Sequence, residues 1–293
     1  MRNGHSRPGL AGAVKTVLSI LVVLALGYGA LLLLVYAFQD RLVYFPFREL
    51  AATPRALGLD YEDVRLTTED GVRLHAWLVP APAARATVLH LHGNGGNISH
   101  RLDRIALFRE LGLNAFLVDY RGYGLSEGRP SEEGTYRDAL AAWRYLTEER
   151  GVSDASIVIH GESLGGAVAS WLAARTRPAA LIVESSFTSA VDLGAEVYPW
   201  LPVRRLARFR YPTAAHLARV RTPVLIVHSR DDEIVPFRHG EVLHAAAAEP
   251  KRLLVIRGDH NAGYLRSRAE YLAGIDAFLN ETLGRMRERV LRR

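Results

Sequence analysis

SIVIHGESLGG, residues 156–166, opens as a short apolar run and closes on glycines. The run Ser156–His160 reads as a strand buried on both faces, and the alanine-rich stretch after Gly165 and Gly166 reads as a helix. Between them Gly161-Glu162-Ser163-Leu164-Gly165 is a G-x-S-x-G, so the order is strand, sharp turn, helix, with Ser163 lifted out at the strand's end. Such a turn is strained and packs closely against its neighbours, which is why its flanks, Gly161 and Gly165, are small. A phosphate loop would need G-x-x-x-x-G-K-[ST], and the lysine is missing.

A serine hydroxyl at its free pKa is a poor nucleophile and needs a base. In a chain built around this turn the acid and then the histidine follow the serine. His260, in Arg257-Gly258-Asp259-His260-Asn261, stands just after the last strand candidate, at the strand end where open α/β sheets carry their sites. The acid is expected in the loop Ser229–Pro236, after the strand VLIVH. Asp232 is the first choice because Asp-x-x-Val-Pro leads into the next helix; Asp231 and, further away, Glu184 are the alternatives. An attacked carbonyl becomes an oxyanion and needs fixed N–H donors. One is the backbone N–H of Leu164. HGNGGN, residues 92–97, follows an early strand in the slot that should supply the second, and its Asn94 N–H is the candidate, with His92 and Gly93 as the supporting loop. His90 and His92 share one strand face, but no third ligand lies nearby in sequence, so no metal and no cofactor is expected. Asp119–Ser126 reads as a glycine-permitted turn in which Arg121 pairs locally and Tyr120 and Tyr123 line a pocket.

Strand candidates fall at 63–67, 72–79, 87–91, 114–119, 156–160, 180–184, 224–228 and 252–256. Helix candidates fall at 98–111, 131–150, 164–175, 236–248 and 264–285. Alternation of this kind implies a mostly parallel eight-stranded sheet with helices on both faces, opened by an antiparallel pair. No strand appears between Ser185 and Arg221. An aromatic, proline-marked segment of about 186–220 stands there instead and reads as a small cap after the sixth strand.

The chain has 293 residues, 49% of them hydrophobic, and no cysteine, which excludes disulfides and thiolate chemistry. The net charge of +6 sits largely at the ends. Arg2, Arg7 and Lys15 fall in a basic tail over 1–15. Arginines at 285, 287, 289, 292 and 293 face Glu288 in a second tail over 285–293. The folded body has no basic stripe, so a nucleic-acid partner is not expected. Residues 16–38 carry no charge and no polar face, long enough for a transmembrane helix ahead of a soluble domain over 39–284. The positive-inside rule puts the N-terminus in the cytoplasm and that domain on the outer, periplasmic or extracytoplasmic, face. The aromatics of LVYFPF, residues 42–47, suit either the lipid–water interface or a first core strand.

HGNGGNISHR, VDYRGYGLSEG, GESLGG, SRDDEIVP and GDHN stand in an order that resembles the α/β-hydrolases, over roughly residues 36–280. With QDRLVYFP after the span, the chain is similar to the membrane-anchored serine hydrolases called alpha/beta hydrolase domain-containing. The resemblance implies a Ser163–Asp232–His260 triad, an oxyanion hole at Asn94 and Leu164, and hydrolysis of esters or thioesters, with lipid-like or acylated substrates in several relatives. A peptidase of the same fold and a catalytically silent, membrane-tethered binding protein are the competing expectations.

Overall fold

A run of residues with no face for water must be covered on both sides, and several of the strands in this chain are such runs. In the computed structural model, which describes residues 10–291, ATVLHL, ALIVE and VLIVHS are buried at every position. The basic residues Arg2 and Arg7, and Arg292 and Arg293 at the other end, lie outside the described residues.

Eight strands form one sheet. They are β1 (Glu62–Thr67), β2 (Arg73–Val79), β3 (Ala86–Leu91), β4 (Leu113–Val118), β5 (Ile157–Glu162), β6 (Ala180–Glu184), β7 (Val224–Ser229) and β8 (Lys251–Ile256). Their spatial order is β8-β7-β6-β5-β3-β4-β2-β1. β2 runs antiparallel to both β1 and β4, and every other pairing is parallel. One face is closed by the helices Glu132–Arg144 and Leu164–Ala173, over a core that includes Leu89, Phe116, Ile159 and Ile226. The other is closed by Leu102–Glu110 and Arg268–Leu291, over Trp77, Val88, Phe108 and Tyr271. The fold is that of an α/β-hydrolase, with the ends of β5, β7 and β8 turned toward one rim.

The expected helices differ from the observed ones at their ends. The helix expected over 131–150 is regular to Arg144 and widens into a single π turn at Tyr145–Glu149. The one expected over 264–285 is broken at Ser267. There the Ser267 hydroxyl accepts from the Arg257 N–H (2.9 Å) and donates to the Arg257 carbonyl (3.1 Å), stitching the helix to the loop that carries His260. Between β6 and β7 stand three short helices, Ala190–Val197, Val203–Leu206 and Thr213–Leu217.

The N-terminal helix runs from Leu10 to Ala37, beginning ahead of the expected 16–38 stretch. Its segment Ala11–Ala37 is long and apolar enough to cross a membrane. After it, LVYFPF does two things. Tyr44 is buried in the core, while Phe45 and Phe47 remain about half exposed. Phe45–Pro46 pairs in parallel with Gly95–Gly96 of the HGNGGN loop.

The tightest backbone contact in the sheet lies at the serine turn. A Cβ on Gly165 would fall on the carbonyl oxygen of Leu91 in β3, and one on Gly161 would fall on the carbonyl of Gly165. Backbone cannot yield as a flexible side chain can. Gly165→Ala is therefore expected to lower stability by about 2–3 kcal/mol, read as a drop in the thermal midpoint of the detergent-solubilised protein; an unchanged midpoint would contradict the contact.

Candidate active site

β5 ends at Glu162 and the next helix starts at Leu164, so the whole reversal falls on Ser163. Its φ of +53° and ψ of −116° lie in a region that a residue with a Cβ rarely adopts. Strain of this kind costs about 1–3 kcal/mol and persists only where the surroundings over-determine it. Here the Ser163 N–H donates to the Glu184 carbonyl (2.9 Å) and the Ser186 hydroxyl donates to the Ser163 carbonyl (2.8 Å).

The structure brings Ser163, His260 and Asp232 together. Ser163 Oγ is 3.1 Å from His260 Nε2, and His260 Nδ1 is 2.8 Å from Asp232 Oδ2. Asp232 is buried, and its other oxygen accepts from the N–H groups of Ile234 (3.0 Å) and Val235 (2.7 Å). Those two bonds hold the carboxylate still while it orients the ring. The His260 N–H donates to Glu233 Oε2 (3.0 Å), which fixes the backbone of the histidine loop. Burial opposes protonation of His260, but the hydrogen bond and charge of Asp232 outweigh it and Glu162 and Glu233 add to them. The imidazole therefore titrates above its ordinary value of 6.5.

The two alternative acids are engaged elsewhere. Asp231 pairs with Arg257 (2.9 Å) and accepts from the Gly258 N–H (3.1 Å). Glu184 faces the opposite side of the sheet end, where it meets Arg104 in a two-pronged pair of 2.6 and 2.9 Å. Neither carboxylate makes a bond to His260, because the turn after β7 aims Asp232 toward the ring and Asp231 away from it.

The loop after β3 is pinned in a way that leaves one N–H over. The Asn94 carbonyl accepts from the Phe45 N–H (3.0 Å) and the Tyr123 hydroxyl (2.8 Å), and its side-chain amide donates to the Val43 carbonyl (2.9 Å). Among the described residues no acceptor takes the Asn94 N–H. Leu164 N–H, the first amide of its helix, has no intrahelical acceptor either. Both residues, with Gly93, Ser163 and His260, line one cavity of about 850 Å³. His92 is fully buried against Tyr120 and Tyr123, with Nε2 3.5 Å from Asp119. Tyr120 and Tyr123 thus support the loop from within the core and are not among the residues lining that cavity. Arg121 is held by Asp138 and Asp70.

A cluster that sequence reasoning missed underlies the serine. Arg104 is buried, bonded to Glu184 and to the Tyr271 hydroxyl (2.9 Å), 3.1 Å from Glu162, and 3.4 Å from the centre of the Tyr264 ring. His160 continues the chain, donating from Nε2 to Glu184 (3.1 Å) and meeting His90 at 3.0 Å. Burial alone would raise the Glu162 carboxyl, but Arg101 and Arg104 outweigh it and hold it below the usual range. Glu184 is likewise held down, by Arg104 and His160. The signal was present in the sequence: Arg104 occupies a slot of the buried stripe formed with Ile105 and Phe108, where an arginine needs buried partners.

Among the described residues no group of three or more His, Cys, Asp or Glu side chains is placed to hold a metal ion. The arrangement offers a hydroxyl next to a carboxylate-backed imidazole, with Asn94 and Leu164 lining the same cavity.

The prolyl oligopeptidase family profile matches residues 99–286. An uncharacterized Mycobacterium tuberculosis protein, Rv2307c, is 41% identical over 90% of this chain and 95% of its own length. The alpha/beta hydrolase domain-containing protein WAV2 of Arabidopsis thaliana is 36% identical over 76% of this chain and 81% of its own. Among solved structures, the Pyrococcus furiosus esterase Pf2001 superposes with a TM-score of 0.69 at 21% identity, covering 82% of this chain and 99% of the esterase. A Mycobacterium tuberculosis puromycin-hydrolyzing peptidase superposes with a TM-score of 0.64 at 22% identity, over 77% of this chain and 40% of the peptidase.

Removing one partner of a buried ion pair leaves the other charge stranded, at a cost of about 3–5 kcal/mol. Arg104→Met strands Glu184, leaves Glu162 with Arg101 alone, and is expected to destabilise the protein by that amount. Adding Glu184→Gln should recover part of the loss; thermal unfolding of the two variants checks both the sign and the recovery.

Proposed function

This chain belongs to the α/β-hydrolases, within the reach of the prolyl oligopeptidase family profile, and from that premise we propose that it is a membrane-anchored serine hydrolase that cleaves carboxylic esters or thioesters of apolar acyl groups. The observation that carries the reading is the unbroken line Ser163–His260–Asp232, which ends in a cavity walled largely by apolar side chains. His260 takes the Ser163 proton as Oγ attacks the acyl carbon. The oxyanion is received by the N–H groups of Asn94 and Leu164. His260 then returns the proton to the leaving oxygen or sulfur, and a water activated by the same ring releases the acyl group. Asp232 holds the ring tautomer and stabilises its protonated form. The helix Leu10–Ala37 is the retained anchor, with Lys15 on the cytoplasmic side and the hydrolase domain on the outer face.

The peptidase reading draws on the family profile and on the peptidase among the structural neighbours. A peptidase that binds a free peptide amine needs an uncompensated acid in its pocket. Glu162 is the one carboxylate among the lining residues, and Arg101 and Arg104 already neutralise it. This favours the ester reading, and turnover of aminoacyl amides in preference to esters would reverse the choice. A silent binding protein would have no need of a strained serine in line with an imidazole and a buried carboxylate.

A fluorophosphonate probe is expected to label the protein, and Ser163→Ala to abolish the labelling; a folded wild type that resists the probe would remove the proposal. The base must be neutral to act, so kcat/KM should fall as pH is lowered through the His260 pKa, with a midpoint above 6.5. Asp232→Asn takes away the charge that raises this pKa, so it should move the acid limb to lower pH and cut kcat by roughly 10³–10⁴. Each methylene that enters an apolar cavity is worth about 0.8 kcal/mol, about fourfold. kcat/KM for p-nitrophenyl esters should therefore climb with acyl length until the cavity is full, and a strict preference for acetyl would count against an acyl-chain site.

A further inference from the structure

The N-terminal helix is exposed along almost its whole length, yet one stripe of it is not. On the helix Leu32 and Val35 are partly buried, and Gln39, two residues past its end, is buried. A spacing of three puts Leu32 and Val35 on one helix face, and Gln39 opens the short helix that follows. That face meets the cap. The Gln39 side chain is buried and bonded at both ends: its Nε2 donates to the Leu206 carbonyl (2.8 Å) and its Oε1 accepts from the Arg208 N–H (2.8 Å). One helical turn before Leu32, the Tyr28 hydroxyl donates to the Trp200 carbonyl (2.9 Å).

The Tyr28 contact fixes a depth. Ala11–Ala37 is 27 residues long, about 40 Å at 1.5 Å per residue, while the hydrocarbon layer is about 30 Å thick and takes up roughly 20 residues. Whichever 20-residue window of this helix fills the layer, Tyr28 is inside it. The cap backbone at Trp200 therefore reaches hydrocarbon level, where Val197, Tyr198 and Trp200 stand about half exposed. The cavity starts at the same place. Its walls include Val35 and Leu42 from the anchor side and Leu193, Val197 and Trp200 from the cap, and it continues to Ser163 and His260.

We propose that the gap between the outer half of the anchor helix and the cap is a lateral portal. The acyl chain of a bilayer-resident ester slides between Val35 and Trp200 into the cavity and presents its carbonyl to Ser163 without passing through water. Gln39 sets the width of the portal by tying the end of the span to the cap backbone. The anchor is on this account part of the substrate site as well as a tether. The inference rests on the hydrolase reading and adds a route and a membrane origin for the substrate.

The test uses the full chain in phosphatidylcholine vesicles. Of the four tryptophans, Trp77 and Trp143 are buried, Trp171 is partly buried against Tyr136 and Trp200 is exposed, so phosphatidylcholine with brominated acyl chains is expected to quench the wild type more than Trp200→Phe. Equal quenching of the two would overturn the immersed cap. Val35→Trp narrows the portal, and the ratio of decanoyl to acetyl ester kcat/KM is expected to fall at least tenfold; a ratio within twofold of the wild type would overturn the route. A fallen ratio without Trp200 quenching would show an acyl cavity filled from water and would also defeat the portal. Fluorophosphonate labelling keeps the two readings apart. Labelled protein with an unmoved ratio sinks the portal alone, whereas wild type that neither labels nor turns over ester sinks the hydrolase reading and the portal with it.

Discussion

The site depends on a contact between two pieces of backbone. The first turn of the helix Leu164–Ala173 is pressed against the end of β3, so close that Gly165 has no room for a Cβ beside the Leu91 carbonyl, and Gly161 has none beside Gly165. That closeness forces the reversal into a single residue, Ser163, at a positive φ. It also brings the HGNGGN loop, which leaves β3 directly after Leu91, alongside the serine: a Cβ on Gly93 would lie 3.5 Å from that of Ser163. Ser163 and the N–H groups proposed as its oxyanion donors are thus positioned by one packing constraint, with the cost of the strained serine met by the rigidity of two central strands.

Charge is arranged on both sides of that turn. In front, Asp232 raises the proton affinity of His260. Behind and below, Glu162 and Glu184 are matched by Arg101 and Arg104. Had the two carboxylates been left unmatched, they would have placed uncompensated negative charge beneath Ser163, since a low-dielectric interior screens weakly. Paired, they form a floor of near-zero net charge. The same cluster joins β5, β6 and the helices Leu102–Glu110 and Arg268–Leu291 beneath the serine, so the electrostatic support of the site is also a structural staple.

The cap and the N-terminal helix are linked in an analogous way. Cap helix Ala190–Val197 has no fully buried residue and rests on the core through the partly buried Ala190 and Leu193. The cap segment that follows it is tied to the N-terminal side: Gln39, Tyr44 and Tyr28 reach Leu206, Arg208, Tyr211 and Trp200. Substrate space, cap and apolar helix are therefore a single arrangement, and a change in how the helix sits is transmitted to the cavity wall.

Local chemistry made part of this legible in the amino-acid order. Continuous apolar runs announce strands covered on both faces, glycines at 161 and 165 announce a turn packed against its neighbours, and a charge-free stretch of membrane length announces the N-terminal helix, because each of these signals is carried by residues adjacent in the chain. The pairing of Asp232 with His260, in preference to Asp231 or Glu184, was not decided there. Three acids within reach of one histidine look alike as letters, and only the direction of the turn after β7, fixed by Asp232 accepting from Ile234 and Val235, separates them. What Arg104 and Gln39 pair with was hidden for the same reason, although a charge on the buried stripe of its helix marked Arg104 itself. Their partners lie 80 and 167 residues away, and a side chain's role in a long-range contact is set by where the sheet and the cap bring the far residue, which no local pattern encodes.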